Sequence, residues 1–122
     1  MRVLVTGAAG FIGSNVVRAL AARGADVVAV DRPMVSWLRL TDLPRSAVDE
    51  VDLGVPAGVE ALVLRRRPEV LVHLAWYARP EDYLTSRENL RSLSATADLV
   101  GAALDAGCRR VVGVGTCLEY AA

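Results

Sequence analysis

The sequence predicts a single doubly wound α/β domain, residues 1–122, built on a parallel β-sheet. Short, almost continuously apolar runs alternate with longer alanine-rich stretches along the whole chain. Strands that are apolar on both faces are typical of a parallel sheet covered by helices on each side. The chain is also 53% hydrophobic, which is enough apolar material for the core of one domain of this length.

Five short runs, most of them almost continuously apolar, are the strand candidates, and a stretch with turn or helix signals separates each run from the next. In chain order these runs are residues 2–6, 27–31, 48–52, 70–74 and 110–115. Parallel neighbours are joined by right-handed crossover connections, so the longer intervening segments are expected to be helical. The prediction is a sheet of about five strands that is cut off after the fifth.

The helix candidates lie between these runs and end at residues that stop helices. They are residues 11–23, 57–67 and 81–106, with a short helical piece within 35–43. Gly24 and Gly107 follow the first and last helices, where glycine readily forms a left-handed cap. Pro68 ends the middle helix, because the residue before a proline is disfavoured in the helical conformation.

Charge and composition exclude several classes of function. The 14 basic residues, all of them arginine, balance 14 acidic residues, so no basic excess indicates nucleic-acid binding. No segment approaches the roughly 20 apolar residues of a membrane helix, and the N-terminal run is too short for a signal peptide. His73, Cys108 and Cys117 lack the spacing of a metal site. We therefore expect a cytoplasmic protein with reduced thiols, no metal and no membrane partner.

The strongest functional signal is the glycine-rich segment 6–13, which follows the first strand and opens the first helix. In this context Gly7 allows a tight turn, Gly10 lets a pyrophosphate approach the backbone, and Gly13 lets the helix pack closely on the sheet. The free N–H groups and positive dipole of the first helical turn, at Phe11 and Ile12, then favour phosphate binding. The segment predicts a dinucleotide site.

A dinucleotide site of this type also needs an acidic residue about 20 positions further on, at the end of the second strand. Asp31 occupies that position. Its carboxylate can accept hydrogen bonds from the adenosine ribose and would repel a 2′-phosphate, which favours NAD over NADP. The neighbouring Arg32 leaves NADP open as the less favoured cofactor, because a guanidinium can stack on adenine or bind a phosphate.

With four later segments, these residues resemble the NAD-dependent epimerase/dehydratase family, extended short-chain dehydrogenases/reductases that act on nucleotide sugars. The glycine loop has that family's T-G-x-x-G-x-x-G form, and the fold it implies is a Rossmann-type domain. The other matching segments are Asp52-Leu53, His73-Leu74-Ala75, residues 106–112 and residues 115–120. The resemblance implies that Asp52 and Leu53 contact adenine and that Leu74 and Ala75 line the nicotinamide ribose.

Several of these residues also have a purely structural interpretation. For Asp52 the alternative role is a cap on the following turn, and His73 is interpreted as a hydrogen-bonded structural residue at the end of a buried strand. Trp76 and Tyr77 follow the fourth strand, at the edge where α/β sheets bind ligands. They either face the nicotinamide or sugar, or cover a helix interface.

Thr116, just past the fifth strand, is the catalytic candidate. The resemblance implies that its hydroxyl hydrogen-bonds the sugar hydroxyl or carbonyl at which hydride is transferred. In the family it acts with the tyrosine and lysine of a Y-x-x-x-K motif, but the 122 residues contain no lysine. The family's helix asparagine corresponds to Ser92, with Asn89 one turn earlier as a candidate substitute.

These observations imply the cofactor-binding part of a nucleotide-sugar epimerase, dehydratase or ketoreductase, with the 122 residues inactive on their own. A non-catalytic dinucleotide-binding fragment and an inert truncated product are the alternatives. The fifth strand would leave an exposed apolar edge, so homodimer formation or other self-association is also expected.

Overall fold

The computed structural model describes residues 1–116, which form a five-stranded sheet flanked by three α-helices. The elements are β1 (Arg2–Thr6), α1 (Phe11–Ala22), β2 (Asp26–Asp31), β3 (Val48–Glu50), α2 (Pro56–Arg66), β4 (Val70–His73), α3 (Glu88–Asp105) and β5 (Arg110–Gly113). Two short 3-10 turns, Leu38–Leu40 and Arg45–Ala47, lie between β2 and β3. All strand pairs are parallel, in the order β3-β2-β1-β4-β5.

The sheet separates two buried hydrophobic layers. Leu4 of β1 packs with residues of α2 and α3, including Leu62 and Leu99. Val3 and Val5, on the opposite face of the same strand, pack in the layer that contains α1. Successive side chains of a strand point to opposite faces, so a continuous apolar run fills both layers. The prediction of a doubly wound parallel sheet is confirmed.

Three predicted element boundaries are wrong by more than one residue. The last helix begins at Glu88 rather than at residue 81, because the Asn89 side-chain amide donates to the carbonyls of Tyr83 and Ser86 and holds the preceding segment in turns. The third strand stops at Glu50 and the fifth at Gly113. In both cases the paired residue of the neighbouring strand, Asp31 or His73, is the last of its own strand.

The predicted helix ends are close to those observed. Gly24 and Gly107 have φ values of 82° and 95°, the left-handed conformation expected after α1 and α3. Arg67 takes the same role after α2, with φ 48°, directly before Pro68. The short helical piece within 35–43 is the 3-10 turn Leu38–Leu40.

Candidate functional site

The predicted site residues lie at the carboxyl ends of the parallel strands. In the order β3-β2-β1-β4-β5, the chain moves outward in one direction from β1 and then crosses to β4 on the other side. This topological switch point lies between β1 and β4, and doubly wound folds bind their ligands outside the carboxyl ends of the strands at such a point. The glycine turn occupies it.

Gly7 and Gly13 are required by contacts inside the protein. Gly7 turns the chain after β1 with a φ of 66°, and a Cβ atom there would lie 3.0 Å from the backbone nitrogen of Ala75. A Cβ atom at Gly13 would overlap the carbonyl oxygen of Gly7 and lie 2.8 Å from the carbonyl carbon. The turn therefore packs against both α1 and the segment after β4 only because both positions are glycine.

Gly10 differs, because no protein contact requires a glycine there. Its backbone is extended, with φ −76° and ψ 178°, and an added Cβ would meet only the Gly7 carbonyl oxygen at 3.4 Å. Helix α1 starts at this point without a side-chain cap. Within residues 1–116, the backbone N–H groups of Phe11 and Ile12 have no acceptor. Open space beside free N–H groups at a positive helix end fits a phosphate.

The side chains that begin α1 are unusually exposed for their type. Phe11 is 72% and Ile12 58% solvent-accessible. Exposed apolar side chains beside free backbone N–H groups are typical of a ligand-binding surface.

Asp31 reaches from the end of β2 to the glycine turn. Its Oδ2 accepts a hydrogen bond from the Ala9 backbone N–H at 3.0 Å, and its Oδ1 accepts one from the Arg32 N–H at 2.8 Å. Each carboxylate oxygen retains acceptor capacity, so Asp31 can orient the turn and still bind ribose hydroxyls. The Arg32 side chain is exposed beside it.

Asp52 and Leu53 follow β3 next to the end of β2, where the Val51 N–H donates to the Asp31 carbonyl at 2.9 Å. Asp52 Oδ1 accepts a hydrogen bond from the Gly54 N–H at 2.9 Å. Asp52 therefore caps the turn that follows β3, as its structural interpretation predicts. Leu53 packs against the buried cluster of α2 and α3. These contacts place the pair on the same side of the site as Asp31.

A buried hydrogen-bond chain joins β1, β4 and α3 directly behind the site. Thr6 Oγ1 accepts from the backbone N–H groups of Leu74 and Ala75 at 3.1 and 3.2 Å, which leaves its own hydrogen for His73 Nδ1 at 2.7 Å. His73 Nε2 then donates to Thr96 Oγ1 at 2.8 Å, and that hydroxyl donates to a backbone carbonyl one turn earlier. Burial lowers the pKa of His73, which favours the neutral ring that this chain requires.

Trp76 follows the segment that this series of hydrogen bonds holds, and its indole forms a hydrogen bond of its own. Its Nε1 donates to Asn89 Oδ1 of α3 at 2.7 Å, while 48% of the residue remains exposed. The next residue, Tyr77, donates its backbone N–H to Ser92 Oγ at 3.1 Å. Ser92, which the sequence predicts to correspond to the family's asparagine, thus holds the segment after β4.

Tyr77 is unsuited to act as a base at neutral pH. Its hydroxyl donates to Asp82 Oδ1 at 2.5 Å. This hydrogen bond and the negative charge of Asp82 raise the pKa of Tyr77 above its ordinary value.

Thr116 lies three residues after β5 and is exposed. Gly113 pairs with His73, so the chain leading to Thr116 leaves the sheet at the same edge as the segment after β4. Cys117, Tyr120 and the rest of the matching segment 115–120 beyond Thr116 lie outside the described residues.

One further contact with the glycine turn has no signal in the sequence. Arg39, in the first 3-10 turn, places Nη1 3.5 Å from the Ala9 carbonyl oxygen, and its own carbonyl accepts a hydrogen bond from Arg18 of α1. A contact between residues 30 positions apart depends on how the segment between β2 and β3 folds back, which no local pattern indicates.

Residues 1–116 contain neither a cluster of metal ligands nor a membrane-spanning helix. No three or more His, Cys, Asp or Glu side chains in this range are grouped as a metal site would need. No helix in this part of the chain is long and apolar enough to cross a bilayer.

A glycine turn at the switch point of a parallel sheet, with an acid at the end of the neighbouring strand, defines a Rossmann-type domain of the dinucleotide-binding class. The model of the NAD dependent epimerase/dehydratase family matches residues 3–122, and the chain belongs to this family. The resemblance predicted from the sequence is confirmed, and so is NAD as the cofactor of the family.

Known relatives agree with this assignment. The UDP-glucose 4-epimerase of Azospirillum brasilense is 33% identical over 124 residues, covering 99% of this chain and 35% of the relative. A 3-diazoavenalumate denitrifying reductase of a Streptomyces species is 40% identical over 118 residues, covering 92% and 36%. The crystal structure of the Thermus thermophilus UDP-glucose 4-epimerase in complex with NAD superposes with a TM-score of 0.78 at 32% identity, covering 91% and 36%. The chain spans about a third of the length of these relatives.

Proposed function

We propose that this chain is the cofactor-binding part of an NAD-dependent enzyme that transfers hydride at a carbon of a nucleotide sugar, as an epimerase, dehydratase or ketoreductase. The observation that carries the proposal is the space at Gly10. Among residues 1–116, no contact requires a glycine at this position, and the N–H groups of Phe11 and Ile12 beside it have no acceptor. Asp31 lies at the end of the neighbouring strand, β2.

The cofactor is proposed to span the switch point from β2 to β4. Asp31 would bind the adenosine ribose, with Arg32, Asp52 and Leu53 beside it, because these residues lie on the β2–β3 side of the glycine turn. The pyrophosphate would lie over Gly10 and the start of α1. The nicotinamide, which supplies or accepts the hydride, would then lie on the β4 side, next to Leu74, Ala75 and Trp76.

Thr116 is proposed to hydrogen-bond the reacting sugar hydroxyl or carbonyl. The pairing of β5 with β4 supports this role, because it brings the chain before Thr116 to the proposed nicotinamide side. The 122 residues contain no lysine, so a Tyr-Lys acid/base pair would have to be supplied from outside them.

Cofactor titration tests the proposal most directly. We expect NADH to bind the purified chain saturably, with enhanced nicotinamide fluorescence, and NADPH to bind more weakly. Failure of NADH to bind a chain that is folded by circular dichroism would contradict the cofactor role. Turnover needs a Tyr-Lys pair that the 122 residues do not contain, so the second measurement uses a longer protein that contains this chain. NADH binding by that protein without turnover of UDP- or dTDP-sugars would favour the alternative of a non-catalytic dinucleotide-binding module.

The Streptomyces relative favours a second candidate, a reductase whose substrate is not a nucleotide sugar. It is the more identical of the two relatives described above, at 40%. NADH oxidation by a longer protein that contains this chain, with diazo compounds but not with nucleotide sugars, would support this candidate.

A further inference from the structure

The backbone before Trp76 is fixed at a defined place beside the glycine turn. Ala75 donates its N–H to Thr6 Oγ1 at 3.2 Å, and a Cβ atom on Gly7 would lie 3.2 Å from the Ala75 Cα. Trp76 follows directly after this fixed position, which lies beside the turn that separates the two halves of the proposed cofactor site.

The indole of Trp76 is held from the other direction by a fully used side chain. Asn89 Oδ1 accepts the indole N–H at 2.7 Å, and Asn89 Nδ2 donates to the carbonyls of Tyr83 and Ser86 at 2.8 and 3.0 Å. Both amide hydrogens and the amide oxygen of Asn89 are engaged. One side chain of α3 thus fixes both the ring and the loop that surrounds it.

A need for a water molecule to bond the indole N–H does not explain why Trp76 is exposed, because this N–H already has a protein acceptor. Its indole N–H donates to Asn89, yet 48% of the residue is exposed. An ordered, exposed aromatic ring at a ligand-binding edge is typical of a recognition surface.

We propose that Asn89 is a positioning residue that holds Trp76 as a wall of the nicotinamide half of the site. The inference rests on the proposed function, which places the adenosine half at Asp31 and the other half on the β4 side. It requires that loss of the Asn89 contact affect ligands with a nicotinamide ring and spare ligands that end at the second ribose.

The test compares NADH with ADP-ribose, which lacks the nicotinamide, by isothermal titration calorimetry on the full chain. Asn89→Ala is expected to weaken NADH binding about five- to tenfold, the effect of one lost hydrogen bond on a positioned ring. ADP-ribose binding should change less than about twofold. Asn89→Asp keeps an acceptor for the indole and should restore part of the NADH affinity.

Two further variants separate positioning from folding. In a Trp76→Phe background, which retains a ring but has no indole N–H, Asn89→Ala should add little to the loss of NADH affinity. Arg91→Ala is the control on α3, because the Arg91 side chain forms an exposed ion pair with Glu88, at 3.5 Å. The affinities of Arg91→Ala for NADH and for ADP-ribose should both stay at the wild-type level.

Equal losses for NADH and ADP-ribose in Asn89→Ala would overturn the positioning role and indicate a general effect on the fold. Unchanged NADH binding would overturn it as well. A wild-type chain that binds neither ligand would overturn the proposed function and, with it, this inference.

Discussion

Gly10, directly before α1, and Gly13, in the first turn of α1, differ in the room that each has for a side chain. A methyl group at Gly13 would overlap the Gly7 carbonyl oxygen, whereas one at Gly10 would meet that oxygen at 3.4 Å. The overlap is impossible without moving the turn, and the contact at Gly10 is an ordinary one. The fold therefore requires a glycine at position 13 but not at position 10, which agrees with the different roles that the motif assigns to these two glycines.

Substitution by alanine at these two sites should give opposite phenotypes. Gly13→Ala is expected to destabilise the fold by at least about 2 kcal/mol, because backbone atoms must move to admit the methyl group. Gly10→Ala should change stability by less than about 1 kcal/mol but weaken NADH binding about tenfold or more, since the methyl occupies the proposed pyrophosphate space. Thermal unfolding by circular dichroism and NADH titration measure the two effects. Wild-type NADH affinity in Gly10→Ala would refute the assignment.

We expect Asp31 to determine the preference for NADH over NADPH. Asp31→Ala removes the proposed ribose contacts and the hydrogen bond to Ala9, so the free energy of NADH binding should weaken by about 1.5–3 kcal/mol. NADPH should lose less, because the repulsion of its 2′-phosphate is also removed. Asp26→Ala is the matched control, since Asp26 begins the same strand at the opposite edge and its side chain pairs with Arg2 at the surface. Fluorescence titration of each variant with NADH and NADPH measures these changes. An unchanged NADH dissociation constant in Asp31→Ala would contradict the proposed ribose-binding role of Asp31.

At the scale of elements, local patterns predict the strands well and the last helix poorly. Each strand was predictable to within two residues. For β1, β2 and β4 the reason is a nearly continuous apolar run that is mostly buried on both faces of the sheet, whereas β3 is short and charged and β5 is exposed. Helix α3 starts later than expected because Ser86 and Asn89 bind backbone groups around its first turn and the preceding loop. Side-chain hydrogen bonds of this kind leave no periodic pattern in the sequence, so the pattern cannot predict them.

The same distinction holds for the candidate site. The glycine turn and Asp31 were predictable, since chemistry demands those residue types at that spacing. The bonds from Thr6 to His73, and from His73 to Thr96, depend on the register that pairs Thr6 with His73 across β1 and β4. Only the assembled sheet shows which polar residues meet.

That hydrogen-bond chain predicts how stability responds to acid. His73 has a lowered pKa in the folded state because it is buried, so the unfolded chain binds a proton more readily. Its contribution is fully present above the ordinary histidine value of about 6.5 and is lost as the pH falls from there through the lowered pKa, by up to about 1.4 kcal/mol per pH unit.

Urea unfolding at several pH values between about 7.5 and 5.0 tests this expectation, because the range spans the ordinary histidine pKa. His73→Gln should be less stable at the upper end of the range, because it loses part of the buried hydrogen bonding, but its stability should fall less steeply with acid. Parallel pH profiles for the wild type and His73→Gln would show that His73 does not carry the acid sensitivity.

At the scale of the whole molecule, the two outer strands of the sheet differ in how they meet solvent. The edge strand β3 has only three residues, and its Asp49 is bound by Arg65 and Arg66 of α2. A short, charged edge resists pairing with another chain. The opposite edge, β5, carries two consecutive valines instead.

We expect the chain to self-associate through β5. Val111 and Val112 point to opposite faces of the sheet, yet they are 37% and 41% exposed, so neither face of β5 is fully covered by the described residues. Val112→Lys should shift the chain toward monomer, because a lysine in an edge strand opposes pairing. Leu38→Lys adds the same charge at an exposed position away from β5 and should leave association unchanged. Sedimentation velocity over a range of concentrations measures the effect, and a wild-type chain that remains a monomer throughout would disprove the expectation.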